Sequence, residues 1–302
     1  MQAIFASKFT RWIIALAIFF LVLLWVEQDV GWRSLLSRWQ SVPLSQLFVV
    51  VGLTLSSYIV RAYRVYRYFG VGNGHQLTAY IRISLIHNAL NNFLPMRLGE
   101  ASFPLLMKQH FGLPLLRSAA GLLWIRLMDL HWLVTLLWAI LATTVHEAFS
   151  VIAILWLLSP IVILRYHWEV TSFIPMRWRT KINEYREYLP ASKRLIATTY
   201  GITVLAWTIK LLALTEILLA FIAIPWLQGL LAVLTADLSS VLPVHGLAGS
   251  GTFEAAVLLA LMPLGYEREV ALSAAVNLHI YLLVVTLVSV PIALAMPART
   301  KP

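Results

Sequence analysis

The sequence predicts an all-α polytopic membrane protein, with about six full spans plus two re-entrant helical hairpins in an inverted-topology repeat. Three observations carry that reading. The 302 residues are 60% hydrophobic and only 12% charged, with a mean hydropathy of +0.81, too little charge to cover a soluble chain of this length. Apolar runs recur from end to end, and two of them are interrupted by Leu-Pro, a Gly-containing turn and a Glu. Lys and Arg gather in alternate loops, as expected where loops alternate between the two sides of a membrane.

Taken in order, residues 12–26 form an apolar run behind Lys8 and Arg11 without a small-residue cleavage site, so an uncleaved first span is expected. With its mixed-charge outer loop it occupies residues 1–46. Residues 47–145 form repeat one. Its first span ends near Arg61, where Arg61, Arg64 and Arg67 interleave with Tyr58, Tyr63, Tyr66 and Tyr68, the pattern of a cytoplasmic interface. A re-entrant hairpin follows at 78–110, whose two arms are each too short for a hydrocarbon core of roughly 30 Å. A full-length run resumes near residue 119. Residues 146–194 hold a connecting span and a basic loop containing Arg165, Arg177, Arg179, Lys181, Arg186, Lys193 and Arg194. That loop fixes the cytoplasmic side. Residues 195–296 form repeat two, opening with a long span from Leu195 to Ile224 and holding a re-entrant hairpin at 229–264. The whole chain, 1–302, reads as a single transmembrane domain.

Counting outward from the basic loop puts the first hairpin on the cytoplasmic face and the second on the opposite face, with both termini cytoplasmic. The two units are then antiparallel copies, an arrangement whose binding sites lie near the midplane at broken helices. The net charge of +10 fits loops beside anionic headgroups, and no nucleic-acid partner is expected. The absence of Cys excludes disulfides and thiol chemistry.

Candidate binding residues cluster at the two breaks. In the first, Arg97 sits between Pro95 and Gly99, Glu100 opens the next half-helix, and Asn92 (with Asn88 and Asn91) can satisfy freed carbonyls. In the second, His245 takes the corresponding place, Gly249 and Gly251 permit close backbone approach, and Glu254 mirrors Glu100. Asp237 lies on the entering half-helix. Arg126 and Asp129, three residues apart, share a helix face. Lys210 and Glu216 are expected to face the interior, and Asn277 and His279 to face the same cavity. A buried intramembrane charge marks function by default. No metal-ligand spacing and no GxxxxGK[ST] motif occur, so neither metal nor cofactor is expected.

The stretch Asn92-Phe93-Leu94-Pro95-Met96-Arg97-Leu98-Gly99-Glu100, the run Arg126-Leu127-Met128-Asp129-Leu130, and Leu242-Pro243 through Gly249-Ser250-Gly251-Thr252-Phe253-Glu254 resemble the lysylphosphatidylglycerol synthase transmembrane (flippase-like) family. The resemblance covers residues 47–296. It implies a membrane unit that moves lipids such as aminoacylated phosphatidylglycerol, or serves glycolipid, polysaccharide or hopanoid pathways. It also implies that Arg97, Glu100 and Glu254 stand at facing re-entrant tips. The chain departs from the family pattern at Ile125, where relatives often carry an acid, and its second tip is longer. No stretch resembles the aminoacyl transferase of bifunctional relatives, so a stand-alone membrane domain without that synthesis is expected.

The function expected is therefore a lipid flippase or scramblase of the bacterial inner membrane and not an enzyme, with a phospholipid or lipid-linked sugar as substrate. A homo-oligomer and a partner biosynthetic enzyme both fit. Two rivals stand beside it. An intramembrane polyprenyl- or lipid-phosphate hydrolase would also use opposed hairpins, but the PGxSRS-like stretch of such enzymes lacks its Arg here. A membrane subunit of a glycolipid or polysaccharide synthesis complex would leave the buried charges without a task.

Overall fold

The computed structural model describes residues 20, 21, 23, 24, 26–28, 31–70, 77–94, 99–170, 192–239 and 247–297, with side chains throughout except at 162–170 and 247. Most of the expected first span, the tip residues Arg97 and His245, and the bulk of the basic loop lie outside the described residues.

Every described element is a helix. A short helix, α1 (Trp32–Ser37), leads through a 3-10 turn into α2 (Leu44–Phe69). The interrupted pair α3 (Leu77–Phe93) and α4 (Ser102–Phe111) follows, then α5 (Leu115–Thr144) and α6 (Ala148–Val170). After the basic loop come α7 (Lys193–Leu219), the second interrupted pair α8 (Trp226–Ser239) and α9 (Thr252–Leu261), and α10 (Arg268–Ala295). Among the described residues four helices, α2, α5, α7 and α10, are long and apolar enough to cross a bilayer, and shorter apolar helices lie in α6, α8 and α9. The chain is thus an all-helical, multi-pass membrane protein.

Helix ends depart from the sequence reading in two places. The second span does not stop at Arg61: α2 runs on to Phe69, because Arg64 is buried against a carboxylate instead of reaching the interface. The long run from Leu195 ends at Leu219, short of Ile224, and α8 begins directly after Pro225, whose fixed φ suits the start of a helix.

Helix packing follows a regular scheme. α2 lies along α7; α3 packs on α10 as α8 packs on α5; α2 meets α3 as α7 meets α8; α4 meets α5 as α9 meets α10. The core runs along α7, α8, α9 and α10, with small residues such as Ala232, Ala236, Ala271, Ala274 and Ala275 bringing backbones close, the usual basis of helix association in lipid. Leu259, Val284, Leu287 and Leu294 face outward and exposed, as lipid-contacting positions do.

Candidate functional site

The two interrupted pairs are built by different local devices. At the first, Gly99 sits directly on the backbone of α3: a Cβ there would lie 2.4 Å from the Asn91 Cα and 2.5 Å from the Leu90 carbonyl oxygen. Only glycine permits that approach. The Ser102 hydroxyl donates to the Gly99 carbonyl at 2.6 Å and meets His87 Nδ1 at 3.1 Å, tying both arms together. At the second break, Gly249 and Gly251 take φ of 82° and 88°, and Ala248 lies in the left-handed region at 57°. The Glu254 carboxylate caps α9 by accepting the Gly251 N–H at 2.7 Å.

Each break carries a Glu, and each Glu is held by a side chain of the long helix that follows. Glu100 forms an ion pair with Arg126 of α5 at 3.0 Å. Glu254 meets His279 Nδ1 of α10 at 2.6 Å, and His279 stacks on Phe253 while its Nε2 reaches the Ala248 carbonyl at 2.9 Å. Two further buried ion pairs lie between the breaks. Asp129 receives Arg64 at 2.5 Å and 3.3 Å, the Trp207 indole N–H at 2.7 Å and Arg126 at 3.5 Å. Lys210 of α7 contacts Asp237 of α8 at 2.5 Å. Such pairs are retained against a desolvation cost of several kcal/mol per ion, so removing one partner of a pair is far more damaging than the pair's net worth suggests.

Between these groups lies a cavity of about 310 Å³. Its walls include Asn88, Asn91, Asn92, Arg126, Asp129, Lys210, Asp237, Gly249 and His279 among the residues expected from sequence, joined by Tyr58, Arg61 and Trp207. Asn92 is fixed by donating to Thr286 at 2.9 Å. Glu100, Gly251 and Glu254 stand outside this lining. Glu254 is 3% exposed with both oxygens engaged inside the protein, so it shapes the second break, while Glu100 acts on the cavity through Arg126. Asn277 is turned away from the cavity, accepting from Trp39 at 2.7 Å and donating to Ser273. Glu216 lies on the exposed face of α7 and accepts from Trp226 at 3.0 Å; it does not face the interior. Lys210 does, and its partner is on another helix.

Sequence reading missed Arg61 and Arg64 by assigning them to an interface. The signal was present. Thr54, Tyr58, Arg61 and Val65 recur at intervals of three and four residues, so Arg61 continues an interior helix face instead of marking its end.

The fold and these buried charges define a helical membrane protein with a polar interior cavity at two broken helices. The family model for the lysylphosphatidylglycerol synthase transmembrane region matches residues 12–289, and the chain belongs to that family. A search of curated proteins found no match. Family membership and the apolar helices together indicate a lipid-related role in the membrane.

Proposed function

We propose that the chain is a lipid transporter of the flippase or scramblase type in the bacterial inner membrane, moving a phospholipid or lipid-linked sugar headgroup through the cavity between the two interrupted helix pairs. The observation that carries this reading is a charged cavity of about 310 Å³ lined by helices whose outer faces are apolar. A cavity of that size suits a headgroup, while acyl chains stay in the surrounding bilayer. The helix contacts support an inverted repeat of α2–α5 and α7–α10, because exchanging the two units maps each principal contact onto another. In such folds one repeat rocks against the other around a central site. Both termini are cytoplasmic in this scheme, and the protein is a transporter and not an enzyme. It works as a homo-oligomer or beside an enzyme that makes its substrate.

Reconstitution in liposomes tests the proposal. Protein-dependent movement of a fluorescent phospholipid or a polyprenyl-phosphate sugar between leaflets is the expected result. No movement of any of them by folded protein would overturn it, and phosphate release from a polyprenyl pyrophosphate would point to a hydrolase instead.

A further inference from the structure

Three of the four cations at this site have a carboxylate partner among the described residues: Arg64 has Asp129, Arg126 has Glu100 and Lys210 has Asp237. Arg61 is the fourth. Its Nε and Nη2 are shut off from solvent and have no hydrogen-bond partner among the described residues, and its guanidinium lies over the Trp207 ring at 4.2 Å. It lines both the main cavity and a smaller adjoining one of about 50 Å³. Asn88 shares both walls, and its Nδ2 also lacks a partner among the described residues.

The repeat explains the surplus. The interval from Leu44 to Lys193, the starts of α2 and α7, equals that from Leu77 to Trp226, the starts of α3 and α8. The same interval carries Arg61 to Lys210 and Asn88 to Asp237. Where the second unit has a closed Lys–Asp pair, the first has Arg and Asn, a cation whose counter-charge is replaced by an amide. An ion without a partner is costly in a low-dielectric interior, and a planar guanidinium with free N–H groups beside an amide donor fits a tetrahedral oxyanion.

We infer that Arg61, assisted by Asn88, is the anchor for a phosphate group in the cavity. This deepens the transport reading by naming the part of the headgroup that is held, and it rests on that reading for the source of the phosphate.

The test is binding to purified protein in detergent, measured by calorimetry with dihexanoyl phosphatidylglycerol, inorganic phosphate and phosphate-free dihexanoylglycerol. Arg61→Gln is expected to weaken the phosphatidylglycerol by roughly tenfold or more, the loss typical of a hydrogen bond to a charged group, and Arg61→Lys to retain part of the affinity. Asn88→Asp rebuilds the internal pair found in the second unit, so it should weaken binding similarly while leaving thermal stability equal or higher. A purely structural Arg61 would not respond in that way. Inorganic phosphate competing with the lipid would assign the site to the ion as well as the headgroup; lipid binding without such competition would assign it to the headgroup alone. Unchanged phosphatidylglycerol affinity in folded Arg61→Gln or Asn88→Asp, or equal loss for dihexanoylglycerol, would overturn the inference. Lipid movement that persists alongside that result would leave the transport proposal standing.

Discussion

Asp129 is the residue on which the interior charges converge. It holds Arg64, which is 3% exposed, and also receives Trp207 and Arg126. Asp129→Ala strands a buried guanidinium, so a loss of about 3–5 kcal/mol is expected, seen as a large fall in thermal midpoint in detergent. Replacing Arg64 by Met as well should recover much of it. An unchanged midpoint in Asp129→Ala would show that Arg64 finds another partner. The sequence made the Arg126–Asp129 pair legible through its spacing, and likewise the Glu at each break. It hid the stronger partner. Arg64 lies on another helix, and no spacing within one helix reports a contact between two. Arg61 and Arg64 also sit among tyrosines, so the same residues satisfy the pattern of a membrane interface and that of a polar interior face.

At the scale of elements, both interrupted helices were legible because their causes are local: Leu-Pro, glycine, and a Glu that opens the next helix. Helix ends were less so. The burial of Arg64 by tertiary contact extends α2 past the point where its charges suggest a stop. Gly99 gives the sharpest prediction here. Gly99→Ala drives a methyl into the α3 backbone, with nothing flexible in the way to yield, and is expected to cost on the order of 1–3 kcal/mol and to spread the two arms. Gly201→Ala, where an added Cβ meets nothing within 4 Å, should be neutral or slightly stabilising. Equal thermal midpoints for the two variants would contradict the close approach at Gly99. At the second break, Glu254→Ala removes the acceptor for the Gly251 N–H and the partner of His279, and a loss of about 1–2 kcal/mol is expected from the cap alone. Faster hydrogen exchange confined to α9 and the preceding turn would be its signature; uniform exchange would not fit a capping role.

Across the whole molecule, the proposed inverted repeat rests on charge counting in the sequence and on the paired scheme of helix contacts. In this scheme, the loop before α5 and the loop before α10 lie on opposite faces. The chain has no Cys, so single substitutions at exposed Arg117 and Glu267 can be labelled without background. An impermeant maleimide applied to intact spheroplasts should label Glu267→Cys and spare Arg117→Cys; labelling of both or neither would remove the antiparallel arrangement. What composition and spacing could not give is the cavity itself. It depends on where α2, α7 and α8 place Arg61, Lys210 and Asp237 relative to one another, which is a property of packing.

The most direct measurement is leaflet exchange of a fluorescent phosphatidylglycerol in liposomes by the wild type and by a variant in which Leu130→Trp and Leu283→Trp together fill the cavity. Both leucines line it, and neither is charged. Exchange by the wild type and its loss in the folded variant is the outcome expected if the headgroup passes between the interrupted helices. Equal exchange by both proteins would place the route elsewhere.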